Sequence, residues 1–436
     1  MFGFFDSPDK KARTVAARLL EAAGRVFNYR RDVLAADLLA ELNSSMETLR
    51  ALVREKADAA HLNPASEALD AVLRRAGGTH YPQSSWTENV EFFLVAAIVI
   101  LGVRAYFVQP FKIPTNSMWP SYNGMTPEVF STRSSEPSLP SEALRFLTLG
   151  ARPVRVDAPV SGEVLLPVVQ TGPNAVSLLS GTVAGRSWLV FPAQLQEYRL
   201  LVGGQLVRVT VPADFPFDWA VRDTFFPSGK LSPAATFARE FALGHTEERI
   251  MDDGNGGKLR VQFLKTGRTV QAGERLLAFD ILTGDQLFVD RISYHFIRPK
   301  VGDGFVFRTG NIHSPFMLDL QGRQIDSFYV KRLVGTPGDK LAVNEPVLYR
   351  NGQPITGAPA FEHNARQEGN YGGYFALMSL AGGQTVTVPS QSFFAMGDNS
   401  GNSADSRYWG FVPAAEVVGR PLFIYYPFTH RWGLAP

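Results

Sequence analysis

No cysteine occurs among the 436 residues. That excludes disulfides, cysteine-ligated zinc, iron–sulfur clusters and thiol nucleophiles, so any nucleophile is an oxygen or a nitrogen, while an export compartment stays open. An excess of either charge is missing too. The 43 Lys and Arg residues face 41 Asp and Glu, a net charge of +2 with no block of one sign, so no nucleic-acid partner is expected. The seven histidines are scattered singly, and there is no H-E-x-x-H, no P-loop and no G-x-S-x-G. No metal or cofactor is therefore expected, and a Ser-His-Asp triad has no local support. The polar, glycine-containing run Gly397 to Ser403 lacks the closing bidentate Glu of an EF-hand.

What is present is a chain with 45% apolar and 19% charged residues, 39 Gly and 29 Pro. It is too apolar for disorder and long enough for two or three folded units, and its many turn residues point to a strand-rich body. The opening Met1 to Phe5 is too short and lacks the basic stretch of a secretory signal, so the N-terminus is expected in the cytoplasm. Ser7-Pro8 is an N-cap and first-turn pair, and Val15, Leu19, Val26 and Phe27, then Leu34, Leu38, Leu42, Leu49, Leu52 and Val53, recur at helical spacing. Asn63-Pro64 is expected to restart a helix that Gly77-Gly78 ends, giving a small helical bundle. From Phe92 to Val103 no residue is charged, and past Arg104 the run continues to Val108. Seventeen residues with one arginine near an end is the short limit for a bilayer-spanning helix, which needs ~17 to 25. The flanking charges Arg74, Arg75, Arg104 and Lys112 do not orient it. Beyond Phe111, short apolar runs such as Tyr198 to Val202, Leu206 to Val211, Phe305 to Phe307, Tyr329 to Val334 and Thr385 to Val388 alternate with Gly, Pro, Asp and Asn, the pattern of β structure. Ser131 to Pro140, with four Ser and two Pro, reads as a loop.

Four stretches carry possible chemistry. Directly after the apolar run, prolines 110, 114 and 120 stiffen the backbone around Ser117, as positioning a nucleophile requires. Gly284 to Arg291 reads as a turn into a buried strand. Asp326 to Asp339 places Lys331 between Val330 and Leu333, either as an edge-strand solvator or as a desolvated amine whose neutral form accepts a proton. Met396 to Pro413 is the fourth. Taken one at a time, each is an ordinary turn or strand.

Together they resemble the type I signal peptidases, membrane-bound serine/lysine proteases that remove signal peptides from exported proteins. Pro114-Thr115-Asn116-Ser117-Met118-Trp119-Pro120 is similar to that family's nucleophile box, with Thr for its first Ser. Gly284 to Arg291 follows as a G-D-x-x-x-V-like box, Tyr329 to Asp339 as the lysine box, and Gly397 to Gly410 as the G-D-N-x-x-x-S-x-D-S-R-x-[WF]-G box. The resemblance implies Ser117 as nucleophile, Lys331 as general base and Ser403 as the group that orients the lysine amine. It implies an oxyanion hole from the Ser117 N–H and the Thr115 hydroxyl. It makes Asp405 and Arg407, with Gly397, a structural set, and lines small apolar substrate pockets with Phe111, Ile113, Pro114, Met118, Tyr122, Val330 and Ala404, suited to A-x-A-like cleavage sites. The departures are Asn116, where Gly is frequent, and Ser400-Gly401, where Arg-Asp is common.

The implied fold is a mainly β catalytic domain of the signal peptidase/LexA-like type, with an N-terminal helical region, one transmembrane helix and a β-rich insertion. The expected divisions are a cytoplasmic helical region 1–80, a transmembrane helix 90–108, a catalytic domain 109–124 plus 280–436, and an insertion 125–279. The matched boxes lie within 90–122 and 280–425. Within the insertion, Ala158 to Val164 and Lys265 to Leu277 faintly resemble the halves of a lipoyl-type barrel, without its hairpin lysine. The expected partners are signal peptides of exported preproteins, the lipid bilayer and the secretion translocon. The expected place is the inner membrane, with one pass, a cytoplasmic N-terminus and the catalytic domain on the outer face. A membrane-anchored, non-enzymatic β adaptor of the membrane-fusion type is the competing reading. A LexA-like self-cleaving repressor is another, opposed by the apolar run and the absence of a basic recognition helix.

Overall fold

The computed structural model describes residues 7–82, 85–172, 175–187, 191–227, 232–252, 258–319 and 321–436. The opening stretch read for a secretory signal lies outside them. The chain forms two compact units, 1–102 and 103–436.

In the first unit, α1 (Pro8–Arg30), α2 (Ala36–Arg54) and α3 (Ala59–Ala76) share one core. Ser7 accepts from the Lys10 N–H and starts α1. The inward face of α1 carries Ala12, Ala16, Ala23 and Val26, whereas Val15 is half exposed. Small residues on that face let the helix backbone approach its neighbours closely, which a count of large apolar residues does not reveal. The expected start of the third helix at Asn63-Pro64 is corrected: α3 begins at Ala59 and Pro64 lies inside it. Asp58 caps the His61 N–H at 3.2 Å, and Asp9 accepts from the Ala59 N–H at 2.8 Å. These two carboxylates satisfy amide groups that a helix start leaves free, and so fix the beginning ahead of the proline. The apolar run falls in α4 (Ser85–Tyr106), and Val108 already belongs to the next strand. Among the described residues α4 is the one helix long and apolar enough to cross a membrane.

The second unit is built on an antiparallel sheet whose members are β1 (Val108–Lys112), β2 (Gln286–Asp290), β3 (Gly304–Arg308), β4 (Phe328–Gly335), β5 (Ser392–Met396), β6 (Val412–Pro413) and β7 (Val417–Tyr426). Their order is β1-β2-β7-β3-β4-β5-β6, with Gly433–Leu434 added against β7. The two ends of the chemistry therefore sit in one sheet although residues 113–285 separate β1 from β2. Ile113, Met118, Tyr122, Leu287, Val289, Val306 and Ile424 pack into one apolar cluster beneath the loop that follows β1. A second cluster of Phe305, Phe307, Leu333, Ala395 and Trp409 lies around β3, β4 and β5.

The long connection between β1 and β2 carries its own core, from Met125 to Ile281, including Val164, Leu200, Phe217, Phe237, Leu264 and Phe279. The two stretches noted within it lie side by side: Gly162 pairs with Val270, Glu163 with Thr269, and the Ala158 N–H donates to Glu274 O at 2.8 Å. The module leaves and re-enters the large sheet at one place, because Thr126–Val129 pairs antiparallel with the returning strand Arg275–Leu282, Thr126 opposite Leu282.

Candidate active site

The loop after β1 is pinned on both sides of Ser117. Ile113 and Met118 are buried in the core, and the Ile113 N–H donates to Asp285 O at 2.8 Å. Gly284 is needed at this crossing: a Cβ there would stand 1.9 Å from Ile113 O. Buried Asp285 accepts from the Asn123 N–H at 2.8 Å and pairs with Arg431 at 2.8 Å, which closes the loop from below. The Asn116 side chain spans the same loop. It accepts from the Gly124 N–H at 2.8 Å and donates to Met125 O at 2.9 Å.

The opposite wall comes from the turn after β5. The Asn399 N–H donates to Ser117 O at 3.1 Å, and the Asn399 amide donates to Asn116 O at 3.0 Å. Gly397 lies so close that a Cβ there would be 2.3 Å from both Ser117 O and Ser403 Oγ. That turn is itself held by a fully buried ion pair, Arg407 to Asp405, with Nε–Oδ1 at 2.8 Å and the second guanidinium nitrogen to Oδ2 at 2.7 Å. Asp405 also accepts from the Gly397 N–H at 3.1 Å and from the Arg407 N–H at 3.2 Å. Arg407 also donates to Ser400 Oγ at 2.9 Å and Ser400 O at 2.7 Å, so the serine found where Arg-Asp is common serves as an acceptor.

Lys331 enters from β4, opposite Phe305 of β3, and is 4% exposed. Its Nζ donates to Ser117 Oγ at 2.5 Å, across 214 positions of sequence. Burial pulls the amine down to about 8, against the upward pull of the Asp405 and Asp398 charges, while Arg407 adds to the lowering. Desolvation disfavours the ammonium, and among the described residues no carboxylate touches it to restore that loss. The Ser117 N–H and the Thr115 hydroxyl have no hydrogen-bond partner among the described residues, so two donors beside Ser117 Oγ are free.

Ser403 is placed differently from the expectation of an amine-orienting group. It is buried beside Gly397, but its hydroxyl donates to Ala404 O at 3.5 Å, and among the described residues the lysine amine is hydrogen-bonded to Ser117 alone. Of the expected pocket residues, Phe111 and Val330 pack half-buried on the cluster formed by Ile113, Met118 and Tyr122. Pro114 is half-buried and Ala404 exposed at the rim. Tyr122 is fully buried and donates to Pro436 O at 2.9 Å, which makes it a support under the site rather than a wall of it.

A family model described as "Signal peptidase, peptidase S26" matches residues 277–426. Signal peptidase I of Bacillus licheniformis is 32% identical over 140 residues, 30% of this chain and 72% of that protein. Signal peptidase I of Leptolyngbya laminosa is 31% identical over 176 residues, 40% of this chain and 75% of that protein. The chain belongs to the signal peptidase I family. A probable signal peptidase I-1 of Synechocystis sp. is 37% identical over 150 residues, which cover 34% of this chain and 66% of that protein. The family match contains Lys331 and Ser403 but not Ser117, which the β1–β2 pairing brings beside Lys331.

Sequence reasoning passed over Asn116, Asn399 and the buried Arg332–Asp398 pair, whose Nε–Oδ1 distance is 3.0 Å. Asn116 stood out only as a departure from a family pattern, and its two loop-closing hydrogen bonds are visible only in three dimensions. Asn399→Ala removes one side-chain tie to the Ser117 loop and leaves the backbone tie. Loss of one such bond costs about 1 kcal/mol. We expect kcat to fall roughly tenfold with little change in KM, because small displacements of a nucleophile cost rate before they cost binding. Steady-state kinetics on a signal-sequence peptide checks this.

Proposed function

We propose that this chain is a membrane-bound serine endopeptidase that removes signal peptides from exported proteins, with Ser117 as nucleophile and Lys331 as general base. The observation that carries the reading is the 2.5 Å contact between Lys331 Nζ and Ser117 Oγ, with burial drawing the amine down to about 8. The neutral amine takes the hydroxyl proton as Oγ attacks the scissile carbonyl, and the resulting ammonium then protonates the leaving amine. The Ser117 N–H and Thr115 hydroxyl receive the negative oxygen of the tetrahedral intermediate. Water repeats the sequence on the acyl-enzyme and releases Ser117. Phe111, Ile113, Pro114, Met118, Val330 and Ala404 offer an apolar bed for the small side chains of an A-x-A-like site, with Tyr122 beneath. Ser403 acts through its packing beside Gly397. An adaptor has no use for a lysine buried against a serine, since such burial costs stability and returns no contact to a partner.

The test is the pH profile. The base works when neutral, so kcat/KM should rise with pH through an apparent pKa near 8, whereas an ordinary lysine would place that limb near ~10.4. A limb near the unshifted lysine value would remove Lys331 as base.

In this reading α4 crosses the membrane, residues 1–89 lie in the cytoplasm and the sheet unit works on the outer face of the inner membrane, where translocon-delivered preproteins emerge. The cysteine-free chain makes the topology direct to measure: a cysteine at Ser314 should react with an impermeant thiol reagent on intact cells and one at Ser45 should not. The reverse pattern would invert the topology.

The module between β1 and β2 tunes access rather than chemistry. Because Thr126 and Leu282 are paired neighbours, excising Thr126 to Leu282 and joining the ends with a short Gly/Ser turn should give a folded enzyme within about tenfold of the parent on a short peptide, by analogy with other tolerated loop excisions. Complete loss of activity in a folded excision variant would assign the module a part in the site.

A further inference from the structure

The segment Arg291-Ile292-Ser293-Tyr294-His295-Phe296-Ile297-Arg298-Pro299-Lys300 alternates cationic and apolar side chains and contains no acid. It is a rigid platform. Asp290 accepts from the Ile292 N–H at 2.8 Å and the Ser293 N–H at 3.0 Å at its start. Asp303 accepts from the Lys300 N–H at 2.9 Å and the Tyr294 hydroxyl at 3.1 Å at its end. Both nearby carboxylates are thus committed to the backbone and to Tyr294, and Asp290 also faces Arg420 at 3.6 Å. What the platform presents outward is Phe296, 84% exposed, and Ile297, 54% exposed. The side chains of His295, Arg298 and Lys300 have no partner among the described residues.

Two further observations say what meets this surface. The Arg291 N–H donates to Phe107 O at 3.0 Å, which puts the platform against the first residue after α4. Beside it opens a cleft of about 740 Å3, with Arg291, Tyr294, His295 and Arg298 on one wall and Thr336 and Phe393 on the other, and no carboxylate lines it. Clefts of roughly 300–1,000 Å3 hold small-molecule ligands. Exposed aromatic and aliphatic tips prefer the acyl boundary, and unpaired cations beside them prefer phosphate.

We infer that residues 291–300 form a binding site for the phosphate headgroup of an anionic membrane lipid, with Arg298 and Lys300 on the phosphate and Phe296 and Ile297 seated among the acyl chains. The inference rests on the reading of α4 as the membrane span. Such a contact holds the sheet unit at a fixed height over the bilayer, at the level where a membrane-bound substrate is presented to Ser117.

The experiment uses the full chain in lipid nanodiscs, with a polarity-sensitive fluorophore on a single cysteine at Ile297, and separately at Ile98 in α4. In discs of phosphatidylcholine with increasing phosphatidylglycerol, the Ile297 probe should shift to the blue as the anionic lipid rises. Arg298→Gln should raise the half-saturating phosphatidylglycerol fraction roughly fivefold, and adding Lys300→Gln should raise it by about fivefold again, the scale of one cation at an anionic surface. Both side chains are exposed and unpaired, so folding is not at stake. A probe at Ile297 that stays in water at every composition while the Ile98 probe reports lipid would overturn the inference alone. An Ile98 probe in water would overturn the membrane reading and this inference with it. A blue shift indifferent to phosphatidylglycerol would overturn the assignment to an anionic lipid headgroup.

Discussion

Lys331→Arg and Ser117→Ala should each lose peptide cleavage by about 10⁴-fold or more while remaining folded, the scale seen when one member of a nucleophile–base pair is removed. The guanidinium of Lys331→Arg stays protonated at any usable pH and cannot take the serine proton, so charge conservation brings no rescue. The same lysine should weigh on stability. Its folded pKa of about 8 lies below the ordinary 10.5, so below pH 8 both folded and unfolded chains carry the proton and the whole cost of burying the ammonium is present. Between pH 8 and 10.5 the folded state sheds the proton first, and stability rises with pH. A shift of that size corresponds to on the order of 3 kcal/mol, part of which the hydrogen bond to Ser117 already returns. Lys331→Met should therefore be inactive yet about 1–2 kcal/mol more stable at pH 7, read by denaturant unfolding, and its advantage should shrink towards pH 10. A folded Lys331→Arg that retained substantial cleavage would require another base.

The second large effect should come from Asp405→Ala, which touches neither substrate nor nucleophile. Removing this carboxylate leaves the Arg407 guanidinium fully buried without its bidentate partner and frees the Gly397 N–H. Breaking such a pair from one side costs about 3–5 kcal/mol, and thermal unfolding should fall by on the order of 10 °C. The double change Asp405→Ala with Arg407→Met should recover most of the loss, since no unpaired charge remains. The folded fraction of Asp405→Ala carries a second signature. Because the Asp405 charge holds the Lys331 amine up, its removal should move the acidic limb of the rate profile to lower pH. A purely structural role would reduce stability and leave that limb in place.

Much of the site was legible because its chemistry is local in sequence. Ser117 lies between stiffening prolines, Lys331 interrupts an apolar strand, and the Gly397 to Gly410 stretch is dense in polar groups of fixed spacing. The strands followed from short apolar runs between turn residues, and the apolar helix from the plain absence of charge. Less legible were features set by size or by partners distant in sequence. Alanines make the inner face of α1, and Asp58 with Asp9 begins α3 ahead of Pro64. Ser403 carried the expectation of bonding the amine, yet its contacts run to Gly397 and Ala404.

Residue content and order alone fix the chemical repertoire: no thiol, one long uncharged run from Phe92 to Val103, and four stretches whose order resembles that of the signal peptidase I boxes. Tertiary structure alone decided that Ser117 and Lys331 meet. The antiparallel register of β3 with β4 points Lys331 at the loop after β1, and the crossing at Gly284 and the ties from Asn399 hold Ser117 there. It also decided that the amine is dry enough to lose its proton near pH 8. Solvation and proximity are properties of what surrounds a group in space, and groups 214 positions apart in the chain acquire them only when the sheet closes.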